Sequence, residues 1–246
     1  MKLMLCDPIG PGMMAGMKAI LWDMDGTLVD TEPRWGEATY AMAAAMGREL
    51  TPEVRATTVG GTADGTVRLC ARWAGLDPTD EEVDGWIRWL YDRVSVLFAQ
   101  GLDLLPGVPA LLAEGRASGL PMMVVTNTFR SLTDQALETI GEGNFVGSVC
   151  GDEVAAGKPD PTCYLTAARR LGVSPDDCLV FEDSTNGMTA AVRAGCRVVG
   201  LPAADAEVPD GAVPVAALRH GAAGLDGLSL ADLRGFWDRL GRHRVG

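Results

Sequence analysis

Short apolar runs recur along the chain at Lys18 to Asp23 (KAILWD), Pro121 to Thr126 (PMMVVT), Phe145 to Cys150, Cys178 to Glu182 (CLVFE) and Cys196 to Leu201. Runs of this length, bounded by turn residues, predict buried strands, and three of them deliver a polar residue to the strand's carboxyl end. Helical spacing fills the intervals. Val108, Leu111 and Leu112 share a face before Gly119, and Ser131 is placed to cap a helix carrying Leu132, Ala136 and Ile140. Pro161 suits a first helical turn, with Leu165, Ala168 and Leu171 behind it and Gly172 as the stop. Strand and helix alternate, so the fold class expected is α/β, a parallel sheet covered by helices on both faces.

The alternation fails between Pro33 and Leu105. Trp35, Ala38, Met42 and Ala45 lead to Gly47, and a second helical stretch runs from Thr66 to Ala74. Thr79 with Glu82 three positions on is a capping box, and it opens a helix whose apolar face is Val83, Trp86, Ile87, Leu90, Val94 and Leu97. The segment 33–104 is therefore expected to be an inserted all-helical domain with a small core of its own. Residues 17–32 and 105–246 make the sheet domain, in which Ala203 to Gly227 has no clear pattern and Ser229 to Leu240 reads as a last helix.

Composition narrows the function. The chain has 246 residues, 21 basic against 33 acidic, a formal net charge of −12, and only 6% aromatic residues, so its core must be mainly aliphatic. This acidity argues against wrapping a nucleic acid, which needs Lys and Arg against phosphates, but one local positive site could still hold a small anion. No apolar run has the length of a membrane helix. The six cysteines form no CxxC pair and read as core residues of a reducing, cytoplasmic protein. Residues 1–16, with Pro8, Gly10, Pro11 and Gly12, read as a disordered extension, and folded sequence is expected from Met17. A monomer or weak homodimer is expected.

In parallel α/β sheets the ligand crevice lies outside the carboxyl ends of the strands. The polar residues there are Asp23 and Asp25, Thr126 and Asn127, and Glu182 and Asp183, joined by Lys158 in the loop reading GKPDP. Acids alone would repel one another and any phosphate. A Mg²⁺ ion held by carboxylate oxygens makes such a cluster tolerable and draws a phosphate in.

The strings DMDGTLVDTE (23–32), VVTNT (124–128), GKPDP (157–161) and FEDSTNG (181–187) resemble, in order and spacing, the four motifs of the haloacid dehalogenase-like hydrolases. The resemblance runs from about Lys18 to Leu201 and includes a helical cap inserted after the first motif. It implies a Rossmann-like core and gives each residue a role. Asp23 would be the nucleophile that becomes an aspartyl phosphate. Asp25 would protonate the leaving alkoxide and then deprotonate the hydrolytic water, which asks for a pKa above the free value of about 3.9 with substrate bound. Thr126 would offer its hydroxyl and Asn127 its backbone N–H to phosphoryl oxygens, with Lys158 balancing their charge. Asp183, the Asp23 carboxylate and the Asp25 carbonyl would bind Mg²⁺, with Glu182 binding directly or through water.

The activity this implies is a Mg²⁺-dependent phosphatase of small phosphorylated metabolites, with sugar or polyol phosphates favoured. A phosphosugar mutase of the β-phosphoglucomutase kind shares the motifs, but its first motif commonly reads DGV and a histidine follows. Thr27 and Trp35 occupy those two positions here. A dehalogenase would need neither Asp25 nor the acidic pair 182–183. Specificity is expected in the cap, with the Gly60-Gly61-Thr62 turn and Arg68 as candidates. Asp30 and Glu32 read as caps of the first cap helix, Ser184 to Asn186 as a helix entry, Trp86 and Trp89 as core, and His220 and His243 as surface residues. Trp22, beside the nucleophile, should point away from the site because neighbours on a strand face opposite sides.

Overall fold

The structure, a computed structural model, describes residues 16–203 and 206–242. The expectations for Cys6 and His243, and all but the last residue of the proposed 1–16 extension, lie outside the described residues. In chain order the elements are β1 (Ala19–Trp22), α1 (Glu32–Ala45), α2 (Pro52–Ala56), α3 (Ala63–Trp73), α4 (Asp80–Phe98), α5 (Val108–Ser118), β2 (Met122–Val125) and α6 (Arg130–Ile140). They continue with β3 (Ser148–Val149), α7 (Thr162–Leu171), β4 (Cys178–Glu182), α8 (Thr185–Ala194), β5 (Arg197–Gly200), β6 (Ala212–Pro214), α9 (Val215–Leu218) and α10 (Leu230–Arg242).

The six strands form one sheet in the order β3-β2-β1-β4-β5-β6, every neighbouring pair parallel. This is a doubly wound, Rossmann-like arrangement, and its topological switch lies at β1, where the connections pass from one half of the sheet to the other. Alternation along β1 divides the core. Ala19 and Leu21 pack with Cys163, Tyr164 and Ala167 of α7 and with Met188 and Ala191 of α8. Ile20 and Trp22 face Leu111 of α5 and Leu233 and Phe236 of α10. Trp22 therefore does point away from Asp23, and it stacks on Phe181 with centroids 4.6 Å apart. Among the described residues no helix is long and apolar enough to cross a membrane. The five described cysteines are buried.

Four helices, α1 to α4, stand between β1 and α5 as the inserted cap, and the Thr79–Glu82 capping box is formed. Its interior, with Met42, Val67, Cys70, Leu90 and Leu97, is not separate: Met24, Leu28 and Val29 join it to the apolar layer beneath α5 and α10. The two crossings between core and cap run side by side. Val29 bridges Leu104 antiparallel, Asp30 N–H donates to Asp103 C=O (2.9 Å), and Leu105 N–H donates to Leu28 C=O (3.0 Å).

Several local expectations shift. Helix α3 starts at Ala63 because the Thr62 hydroxyl accepts from Gly65 N–H, and α2, opened by Thr51 and Pro52, has too few residues for a periodic signal. Helix α7 turns Tyr164 and Cys163 inward and leaves Leu165 exposed, since a polar partner inside the core waits for the tyrosine hydroxyl. Helix α6 begins at Arg130, with Phe129 and not Ser131 at its N-cap and no side-chain cap. Strand β6 lies in the stretch that showed no pattern.

Candidate active site

The sheet order places the end of β1 between β2 and β4, so Asp23 emerges with Thr126 on one side and Glu182 on the other. The chain then turns sharply, with Gly26 N–H donating to Val29 C=O (2.9 Å). Gly26 has φ +79°, and a methyl group there would overlap the Asp183 carboxylate, so both conformation and space demand glycine.

Lys158, fully buried, reaches Asp23 Oδ1 (2.6 Å), Glu182 Oε1 (2.5 Å) and Val125 C=O (2.8 Å). Its loop is clamped by Asn127, whose Oδ1 accepts from Lys158 N–H (2.8 Å) while its Nδ2 donates to Lys158 C=O (3.3 Å). Asn127 thus places the ammonium through its side chain, a contribution beyond the backbone N–H expected of it. Glu182 is saturated by protein donors: Lys158 and the Tyr164 hydroxyl (2.9 Å) on one oxygen, Ser184 N–H (3.2 Å) and Oγ (3.1 Å) on the other.

Burial raises the Asp23 carboxyl well above its ordinary range, with Glu182 adding to the rise and Lys158 opposing it. Asp183 is pushed up to about 7, by burial first and then by Glu182. For Lys158 burial acts downward, but the Asp23 and Glu182 carboxylates outweigh it and hold the ammonium above its usual value. Three acids against one ammonium leave an excess of buried negative charge. Oxygens of Asp23, Glu182 and Asp183 lie within 4.8 Å of one another, and Asp23 Oδ2 is buried without a hydrogen-bond partner. An all-oxygen donor set with surplus negative charge and an orphaned carboxylate oxygen fits a hard divalent cation.

Asp25 accepts four hydrogen bonds. Thr31 Oγ1 (2.7 Å) and Trp35 Nε1 (3.1 Å) meet Oδ1, while Thr126 Oγ1 (3.2 Å) and Thr128 Oγ1 (2.8 Å) meet Oδ2. The structure places the Thr126 hydroxyl on Asp25, and adds Thr128, Thr31 and Trp35, which sequence reasoning missed. The Thr31 hydroxyl is committed to Asp25, so α1 has no side-chain cap. The capping expected of Glu32 is corrected accordingly: its carboxylate pairs with buried Arg55 of α2 at 2.5 Å.

The cap meets the core on two sides. The Gly60 carbonyl accepts from Asn186 Nδ2 (3.0 Å), which brings the Gly60-Gly61 turn against the loop after Asp183. On the other side Ser95 and Gln135 exchange two hydrogen bonds, and Tyr91 of α4 stacks on Phe129 at 4.5 Å. Arg68 is occupied on the cap itself, paired with Asp64 (3.1 Å) and Asp80 (2.6 Å), and no hydrogen bond or ion pair links it to the strand-end residues.

The family model described as haloacid dehalogenase-like hydrolase matches residues 17–195. The chain is similar to Protein CbbY of Rhodobacter capsulatus, at 34% identity over 213 residues, covering 79% of this chain and 93% of that protein. It is similar to a phosphoglycolate phosphatase of Pectobacterium atrosepticum, at 32% identity over 197 residues, covering 76% of this chain and 81% of that one. The crystal structure of CbbY from Rhodobacter sphaeroides in complex with phosphate superimposes with a TM-score of 0.76 at 28% identity, covering 88% of this chain and 99% of that one.

Proposed function

The chain belongs to the haloacid dehalogenase-like hydrolases, and from that premise we propose that it is a Mg²⁺-dependent phosphatase of small phosphorylated metabolites, sugar or polyol phosphates foremost. The observation that carries the reading is the Asp23 carboxylate, one oxygen fixed by Lys158 and the other left without a protein partner, with Asp25 held beside Thr126.

Asp23 attacks phosphorus in line, forming an aspartyl phosphate as the bond to the leaving oxygen breaks. Asp25 gives that oxygen its proton, then takes one from the water that cleaves the acyl phosphate and restores Asp23. Lys158 balances charge on Asp23 and on the phosphoryl oxygens, held in place by Glu182, Tyr164 and the Asn127 clamp. Asp23, Asp183 and the Asp25 carbonyl would hold Mg²⁺, with Glu182, whose oxygens are taken by protein donors, contributing its charge or a contact through water. When bound, the ion supplies charge neutralisation for the acids and the phosphoryl group.

The cap contacts at Gly60 and Phe129 support a site closed from bulk water during the first step, with specificity drawn from the cap. The test is release of inorganic phosphate from a panel of sugar, polyol and glycolate phosphates, with Mg²⁺ and with chelator. Saturable, chelator-sensitive release without any bisphosphate primer is expected. Conversion of β-glucose 1-phosphate to glucose 6-phosphate with a trace of the 1,6-bisphosphate, and negligible phosphate release, would replace the phosphatase by the mutase.

A further inference from the structure

Trp35 closes the first turn of α1 and Thr31 stands at its N-terminal boundary, four residues apart and so on one face, and both reach back to Asp25 Oδ1. The indole ring is fixed by its neighbours. It meets Tyr91 edge-on at 5.6 Å and Phe98 at 6.4 Å, both on α4, and Tyr91 in turn stacks on Phe129, next in sequence to Thr128. The cap therefore holds one oxygen of Asp25, and the core hydroxyls of Thr126 and Thr128 hold the other. Both oxygens receive a threonine hydroxyl, and the difference is that Oδ1 alone also meets an indole N–H. An indole N–H donates and cannot accept, whereas a threonine hydroxyl can rotate to do either.

We propose that Trp35 is a positioning residue for Asp25: its N–H keeps Oδ1 as a permanent acceptor and leaves Oδ2 as the oxygen that exchanges a proton with the leaving alcohol. The proton passes from Oδ2 to the departing alkoxide as the bond from phosphorus to that oxygen breaks and the bond from Asp23 to phosphorus forms. The electron pair of the broken bond stays on the alcohol oxygen. The inference rests on the phosphatase reading for the task Asp25 performs.

The test compares an alkyl ester, glucose 6-phosphate, whose alkoxide needs a proton to leave, with 4-nitrophenyl phosphate, whose phenolate does not. The parameter is kcat/KM with Mg²⁺, because it reports steps only through release of the alcohol. Trp35→Phe keeps the ring and removes the donor. It is expected to lower kcat/KM for the alkyl ester about 10-fold, the scale of a lost hydrogen bond to a charged group, and to leave the aryl ester within about twofold. Equal losses on both esters, or none on either, would overturn the proposal. A second readout needs no turnover: the indole N–H resonance of Trp35 in a ¹H–¹⁵N spectrum, identified by its absence in Trp35→Phe, should move upfield in Asp25→Ala. A resonance that stays in place overturns the proposal even if the protein is an active phosphatase. A wild-type protein that hydrolyses neither ester overturns the phosphatase reading and the proton-exchange role with it, whereas a moving resonance would still show the contact.

Discussion

Asp183→Asn should make the metal-free protein more stable while impairing its response to metal. In the native state the Asp183 carboxyl is lifted from 3.8 to about 7 by burial and by the Glu182 charge. Folding therefore takes up a proton between those pH values, and the associated stability is fully present below pH 3.8 and lost as pH rises through about 7. The penalty on metal-free protein is about 2 kcal/mol at pH 5 and about 4 kcal/mol at pH 8. Asparagine carries no charge at either pH. The variant should then melt above wild type at pH 8 in chelator by roughly 8–16 °C, given about 2–4 °C per kcal/mol for a chain of this size. The gap should be about half as large at pH 5. At pH 8, Mg²⁺ at about 100 times its Kd should close more than half of that gap, since it stabilises the form that binds it by about 2.7 kcal/mol against a penalty of about 4 kcal/mol. The assay is thermal unfolding of both proteins at pH 5 and 8, in chelator and in Mg²⁺. Identical melting at pH 8 without metal, or a gap that does not narrow toward pH 5, would refute the electrostatic reasoning.

Asp23→Asn should abolish turnover and leave no acid-labile phosphoenzyme on quenched gels, because no carboxylate remains to attack. Lys158→Met removes the ammonium from between two buried acids and should cost about 3–5 kcal/mol of stability at pH 7.5 in chelator, read by urea unfolding. Gly187→Ala drives a methyl group into the Glu182 carboxylate; it should lower stability by about 1–3 kcal/mol and reduce phosphate release through the displaced Lys158.

Much of the site could be read from the sequence because it sits where short apolar runs stop. Asp23, Thr126 and Glu182 each close or directly follow a strand, and the α/β alternation alone sends such residues to one rim. The parts that stayed hidden act across the fold and leave no local pattern. Trp35 lies on the apolar face of a helical stretch, and nothing in its spacing distinguishes a ring that packs from one that also donates to Asp25. Tyr164 sat one position off the expected face of α7, and only the presence of Glu182 inside the core explains why the helix rolled. The strand-end position of Asn127 points only to its backbone N–H, since the partner of its side chain is the main chain of Lys158, 31 residues away. Thr128 has no role in the sequence pattern and Asn186 only that of a helix entry, for their partners, Asp25 and the Gly60 carbonyl, come from distant segments.

The central position of β1 also sets a timetable for the nascent chain. β1 is the first of the six strands to be synthesised, yet its neighbours β2 and β4 begin only at Met122 and Cys178. At about 5–20 residues per second, β4 leaves the ribosome roughly 8–30 s after β1. The first segment made during that wait is the cap, whose helices need only local contacts and form early. Leu28 and Val29 share the cap's apolar cluster, so the newborn cap offers shelter to the exposed end of the strand until its partners arrive.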